Sequence, residues 1–253
     1  MDLGLTDRVY VLTGASRGLG YATAQCLVAD GARVVLSARD ADAVAAAAEQ
    51  LGGPGSAVGV TADLTDPQTP ERLVAAARTH FGRLDGALIS VGGPPAGNAA
   101  SITDEQWRNS FETVFLGTVR TARTVAAALP DGGAIGLVLS TSARGPVPGL
   151  GISNGLRPGL VGVAKDIADD YGPRGVRVVG LLPGRIMTDR NRELFAATGD
   201  PERARAEAEA SIPLRRLGDP AEFGRVAAFV LSPAASYLTG LTVPVDGGAL
   251  RGL

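Results

Sequence analysis

The sequence predicts an α/β fold, a single domain built on a doubly wound parallel sheet with helices on both faces. Three observations carry that expectation. A short apolar run, Val9-Tyr10-Val11-Leu12, passes directly into the glycine-rich stretch Thr13 to Gly20, TGASRGLG. Strand-like apolar runs recur along the chain with helix-like stretches between them, and that alternation specifies parallel pairing with right-handed crossovers. No part of the 253 residues reads as a linker, and the length suits one sizeable core.

The first run has the composition of a strand buried on both faces. A strand that turns tightly into a helix presents unpaired N–H groups and the positive end of the helix dipole, a setting that suits phosphate. In this turn Gly14 takes a backbone angle closed to other residues, Gly18 lets a pyrophosphate approach, and Gly20 lets the helix lie close on the sheet. Ser16, Arg17 and Leu19 complete the candidate phosphate loop. The following helix, Leu19 to Asp30, stops at Gly31, a residue suited to the left-handed cap. The second strand is Arg33 to Ser37. Asp40 to Leu51 is alanine-rich and ends at Gly52-Gly53; the third strand is Ala57 to Val60; the helix Pro67 to His80 opens near proline and stops at Gly82.

The fourth strand, Gly86 to Ser90, leads into Gly92-Gly93-Pro94-Pro95-Ala96-Gly97. The two glycines there allow close approach to a ligand, and the prolines stiffen the exit. A helix around WRNSFETVFLG precedes the fifth strand, Ile135 to Ser140. An interior proline costs a helix about 3 kcal/mol and is comfortable only in the first turn. Pro158-Gly159 therefore predicts a helix that starts near Pro158, with Ser153 to Arg157 in a loop. Strands six and seven are Val176 to Leu181 and Leu241 to Val245. Between them a polar excursion at about 185–213, including GDPERARAEAEA, belongs to no strand. Its helical stretch is expected to form a mobile lid beside the site, or else a solvated helix.

With 24 Lys+Arg against 26 Asp+Glu and a net charge of -2, no basic face is available for nucleic acid. The N-terminus lacks a positive n-region and an apolar h-region, and no run approaches a membrane span, so a cytoplasmic protein with a small-molecule substrate and no membrane contact is expected. Cys26 and His80 are the only residues of their kinds, which excludes an intrachain disulfide and the usual zinc ligand sets. No metal is expected, and Cys26 reads as a packed thiol.

Ligands on such sheets lie beyond the carboxyl ends of the strands. Past the second strand stands Ser37-Ala38-Arg39-Asp40. An acidic side chain at that strand end would bind the ribose hydroxyls of NAD, but the position falls on Ala38 and a cation follows. Arg39 suits a 2′-phosphate, and Arg17 adds a second guanidinium, whose planar fork matches phosphate oxygens. NADP(H) is the expected cofactor.

Together with Asp63-Leu64 after the third strand, GRLDGALIS leading into the fourth, PGRIMT at Pro183 to Thr188 and YLTGLTVPVDGG near the end, these features resemble the short-chain dehydrogenase/reductase family, in its 3-oxoacyl-carrier-protein reductase-like branch. The similarity covers essentially the whole chain and implies a Rossmann fold. It implies that Asp63, beside Leu64, receives the adenine amino group and that Gly92 lines the cofactor groove. The loop Pro183, Gly184 to Thr188 would hold the nicotinamide carboxamide, and the C-terminal strand would help build a homo-oligomer, a tetramer or dimer.

Members of that family reduce a carbonyl with a tyrosine beside the substrate oxygen, a lysine four residues later, an upstream serine and a helix asparagine. Here the only lysine is Lys165 and the residue four before it is Val161, so no Tyr-x-x-x-Lys exists. The family pattern places the tyrosine position at Ser153, the lysine position at Arg157, the asparagine position at Val114 and the serine at Ser140, which is retained. A serine hydroxyl is too weak an acid to replace a phenol, and an arginine, with a pKa above about 12, does not give up its proton. Ser140, Ser153 and Arg157 are the candidate catalytic residues, Arg157 holding ribose or a substrate anion and the serines orienting an oxygen, or else all three fill space. The expected activity is NADP(H)-dependent hydride transfer to an electrophile that needs no tyrosine proton, an iminium ion or an activated enone. The alternatives are a non-redox cyclase, isomerase or dehydratase, and a silent NADP(H)-binding subunit of a mixed oligomer.

Overall fold

In the computed structural model, which describes residues 2–196 and 198–251, seven parallel strands form one sheet in the order β3-β2-β1-β4-β5-β6-β7. Residues 1, 197, 252 and 253 of the expected domain and lid lie outside the described residues. The strands are β1 (Val9–Thr13), β2 (Arg33–Ala38), β3 (Ala57–Thr61), β4 (Gly86–Ile89), β5 (Ala134–Val138), β6 (Arg177–Pro183) and β7 (Leu241–Val245). The helices are α1 (Gly18–Ala29), α2 (Ala41–Gln50), α3 (Thr69–Phe81), α4 (Asp104–Ser110), α5 (Gly117–Ala128), α6 (Gly151–Tyr171), α7 (Asp189–Ala196), α8 (Pro201–Ser211) and α9 (Pro220–Leu231).

The sequence periodicity explains this layering. Every residue of β1 is buried, and alternate side chains enter two separate cores. Tyr10 and Leu12 join Leu27, Leu36 and Phe223 on one face; Val9 and Val11 join Leu73, Val125 and Leu160 on the other. That two-sided burial is why the strand is continuously apolar rather than alternating. The chain builds outward from β1 to β3 and then returns to place β4 on the other side of β1, so the strand order reverses between β1 and β4. A crevice opens at that reversal.

Two expectations are corrected. The helix does not start at Pro158; α6 begins at Gly151 and runs through it. Pro158 lies on the exposed side, where the carbonyl it fails to serve is that of half-exposed Asn154 and water can reach it. The opposite side buries Ile152, Ser153, Arg157, Leu160 and Ala164. Gly155 and Gly159 let neighbours in close: a Cβ at these positions would stand 2.8 Å from the Trp107 ring and 2.9 Å from the Phe115 ring. Tertiary packing of a 21-residue helix outweighs one proline. The Asn154 side chain also anchors the first turn, donating to the Val147 carbonyl and accepting from its N–H at 2.9 Å each.

The excursion after β6 holds two helices, α7 and α8, rather than one helical stretch, and Ala208, Ile212 and Leu217 form a small core of their own there. The helix around WRNSFETVFLG is one rod with a π-helical turn, Phe111–Leu116, between α4 and α5.

Candidate functional site

A cleft of about 710 Å³ lies beyond the C-terminal ends of β1 to β4. The β1–α1 turn contributes Gly14, Ser16 and Arg17; the end of β2 contributes Ser37 to Asp40; Ala62, Asp63 and Leu64 follow β3; Ser90 to Pro95 follow β4. Gln106, Asn109 and Ser110 of α4, with Thr113 and Val114 of the π-helical turn, form the remaining wall. Seven of the candidate cofactor residues, Gly14, Ser16, Arg17, Arg39, Asp63, Leu64 and Gly92, thus share one cavity.

The turn is shaped for a close ligand. Gly14 has φ 58° and a Cβ there would stand 2.7 Å from the Ser90 carbonyl oxygen, so no other residue fits. Gly18 has φ 62° and open space above it, with only the Thr188 methyl at 3.9 Å. Gly20 closes against the Gly14 carbonyl, 2.7 Å from its would-be Cβ, which folds the helix start onto its own turn. Arg17, the residue just before α1, offers no side-chain cap, and the first turn, which includes Leu19, holds no acid. Its first N–H groups are therefore left for an anion.

Past β3, Asp63 Oδ1 accepts from the Thr65 N–H and hydroxyl, and its other oxygen has no partner among the described residues. Arg39 is exposed and makes no hydrogen bond or ion pair among them. Gly92 has open space around it, but Gly93 does not: the Arg190 guanidinium of α7 packs on it at 2.8 Å from a would-be Cβ and donates to the Pro94 carbonyl at 3.0 Å. The second glycine of that loop therefore accommodates the chain's own arginine. On the next turn of α7 Glu193 lies 3.8 Å from Arg17. These donors and open glycines fit the nicotinamide dinucleotide that the family binds.

The candidate catalytic residues do not line this cleft. Ser140 follows β5, and its Oγ accepts from the Ser142 N–H at 3.1 Å to cap the short turn Thr141–Ala143. Ser153 meets Ser142 rather than Ser140, with their hydroxyl oxygens 2.9 Å apart. One turn along α6, Arg157 is 4 % exposed; its Nη1 donates to the Val138 carbonyl at 2.9 Å and its Nε has no partner. Burial alone pushes the guanidinium down to about 10, so it carries its charge at neutral pH. Pro183 ends β6, Gly184 packs on Asp246, and Thr188 reaches over the β1–α1 turn to Gly18. Val114, at the position where the resemblance implies an asparagine, is buried and apolar and closes the inner wall of the cleft. Cys26, half-buried beside Gly224, has its thiol pushed up by burial.

A family profile described as Enoyl-(Acyl carrier protein) reductase matches residues 14–249. The chain is 33% identical over 257 residues to levodione reductase of Leifsonia aquatica, covering 96% of this chain and 94% of that one. It is 31% identical over 248 residues to 3-oxoacyl-[acyl-carrier-protein] reductase of Salmonella typhimurium, covering 97% and 98%. The chain belongs to the short-chain dehydrogenase/reductase family. Among solved structures, a short-chain dehydrogenase/reductase from Brucella melitensis superposes with a TM-score of 0.92 at 30% identity, over 100% of both chains. L-sorbose reductase of Gluconobacter frateurii, solved with NADPH and L-sorbose, gives 0.90 at 29%, again over 100% of both.

For a short-chain dehydrogenase/reductase the distribution of phenols is unusual. The Tyr10 hydroxyl donates to the Leu231 carbonyl inside the core, where burial holds its pKa well above the ordinary value. Tyr21 bonds Gln50 on the surface, Tyr171 ends α6 and Tyr237 is fully exposed. None lines the cleft. Sequence reasoning missed Ser142, Arg190 and Glu193. Ser142 becomes visible only once Ser153 is known to be helical, and Arg190 and Glu193 only once α7 is known to begin beside Thr188. No described helix is long and apolar enough to cross a membrane.

Proposed function

We propose that this chain is an NADP(H)-dependent oxidoreductase that reduces an electrophile needing no proton from a tyrosine, an iminium ion or an activated enone. The observation that carries the reading is the adenosine end of the cleft: β2 ends in Ala38 rather than an acid, Arg39 stands unpaired beside it, and Arg17 faces them from the turn. Two guanidiniums, with no acid at position 38 and Asp40 engaged in capping α2 through the Ala43 N–H, match a ribose bearing a 2′-phosphate better than the free ribose of NAD. The α1 N-terminus would hold the pyrophosphate, Asp63 the adenine amino group, and the Pro183 to Thr188 loop the carboxamide. The bound nucleotide would supply hydride; Ser140 and Ser153 would orient the acceptor. Assembly as a homotetramer or dimer is supported by β7, a half-exposed edge strand.

Titration with NADPH and with NADH tests this, read by energy transfer from Trp107 of α4, whose neighbour Gln106 lines the cleft, and checked by calorimetry. NADPH should bind more tightly than NADH. Arg39→Ala should weaken NADPH by roughly tenfold or more and leave NADH within about twofold, since a charged hydrogen bond is worth about 1.5–3 kcal/mol. Equal affinities, or no binding, refute the reading.

A further inference from the structure

The helix α7 ties together two rims of the cleft without lining it. Arg190 packs its guanidinium on Gly93 and donates to the Pro94 carbonyl at 3.0 Å, on the wall that follows β4. One turn further along, Glu193 lies 3.8 Å from Arg17, which lines the cleft from the β1–α1 turn. Thr188, just before the helix, stands over Gly18 of the same turn. None of the 8 residues of α7 is buried, so side-chain contacts hold it in place rather than an apolar face, with Phe195 resting on the small core of α8. The two arginines that line the cleft therefore differ. Arg39 has no partner among the described residues, whereas Arg17 already faces a carboxylate supplied by the chain itself.

We propose that Glu193 is an internal competitor for Arg17: a 2′-phosphorylated nucleotide takes the arginine from it and so frees α7 from the β1–α1 turn. The proposal rests on the NADP(H) reading for its ligand. The pair is built to be exchanged. Its side chains are 71% and 68% exposed, and 3.8 Å is longer than a direct charged hydrogen bond, so water and salt screen most of its attraction. A phosphate monoester carries close to two negative charges near neutral pH and presents three acceptor oxygens, which a guanidinium fork meets better than one distant carboxylate oxygen. Arg39 lines the same cavity and adds its charge to the phosphate, not to Glu193. A ribose without phosphate offers only hydroxyls and leaves Glu193 where it is. Glu193 thus makes the position of α7 depend on which nucleotide is bound. Once it lets go, Arg190 is the remaining tie between α7 and the cleft rim, and the helix that continues the Pro183 to Thr188 loop is held at one side only.

The test is amide hydrogen exchange on the full chain, read by mass spectrometry with saturating adenosine 2′,5′-bisphosphate and with AMP, which lacks only the 2′-phosphate. Exchange of the β1–α1 turn reports binding and exchange of α7 reports release. The bisphosphate should slow exchange in the turn and speed it in α7 by about two- to fivefold, the worth of an exposed ion pair. AMP should leave α7 unchanged. Glu193→Gln should show the faster α7 exchange without any nucleotide and no further rise with the bisphosphate. By calorimetry the same variant should bind the bisphosphate about two- to fivefold more tightly and AMP as the wild type does. Slower exchange in the turn with α7 unchanged or slowed overturns the proposal and leaves the NADP(H) reading standing. So does a Glu193→Gln variant whose α7 is loosened but whose affinity for the bisphosphate is unaltered, since Glu193 would then be a tie and not a competitor. Protection of the turn by neither nucleotide overturns the NADP(H) reading and the proposal with it.

Discussion

Replacing Arg157 by methionine should make the protein more stable. Burial holds this guanidinium at about 10, more than two pH units below its ordinary value, and each unit corresponds to ~1.4 kcal/mol of differential stabilisation. The charged side chain therefore costs the fold about 3 kcal/mol. Methionine removes that cost, keeps an unbranched chain in the same slot, and loses one hydrogen bond to the Val138 carbonyl, worth about 1 kcal/mol. The net gain is about 2 kcal/mol, or roughly 4–8 °C in melting temperature for a chain of this size. The gap has a defined pH dependence. Below about pH 9 Arg157 is protonated in both folded and unfolded states and the difference is constant. Between the folded value of about 10 and the higher unfolded value, the unfolded chain binds more protons, so wild-type stability rises with pH and the gap closes. Calorimetric melts of the two proteins at pH 7.5 and pH 10.5 read both effects. A variant no more stable than the wild type at pH 7.5 refutes the idea that the charge is uncompensated.

Pro158→Ala should also stabilise, by about 2 kcal/mol, because it restores the donor for the Asn154 carbonyl on an exposed face of α6 without disturbing the buried one; chemical denaturation that shows no rise in midpoint would mean water already satisfies that carbonyl. For whichever substrate is turned over, kcat should stay within about twofold from pH 6 to pH 9, since serines do not titrate there and Arg157 remains charged up to about 10. A clear sigmoid in that range would reveal an acid or base other than these residues.

The parts of this fold that were legible in the sequence are those where local pattern and tertiary burial agree. β1 is apolar throughout because both faces are covered, and the turn behind it needs glycine at position 14 because the Ser90 carbonyl leaves no room for a side chain. Arg39 and Arg17 could be placed from their distance to that turn alone. The start of α6 could not. Local propensity at Pro158 argues against a helix, and what overrides it is non-local: the glycines at 155 and 159 matched to Trp107 and Phe115, about fifty residues earlier. The partner of Ser153 and the grip of α7 on the cleft are non-local in the same way, joining residues whose spacing carries no signal.

The helical course of α6 changes how the substituted residues should be understood. In a loop, Ser153 and Arg157 would be free to drift apart, and a serine and an arginine where the resemblance implies tyrosine and lysine would read as decay. On a helix they stay one turn apart on the buried side, the serine held by Ser142 and the arginine by Val138. A decaying site has no reason to keep a charge that costs the fold about 3 kcal/mol when a neutral side chain would fill the same space. Lysine also differs from arginine in the relevant respect: its proton is lost readily on burial, whereas the guanidinium here stays charged throughout the physiological range. The substitutions form a coherent set. On the register that the resemblance implies, position 153 carries a hydroxyl, position 157 a buried guanidinium and position 114 a buried valine. A guanidinium that stays charged up to about pH 10 and a serine hydroxyl give this part of the fold no group that exchanges a proton near neutral pH.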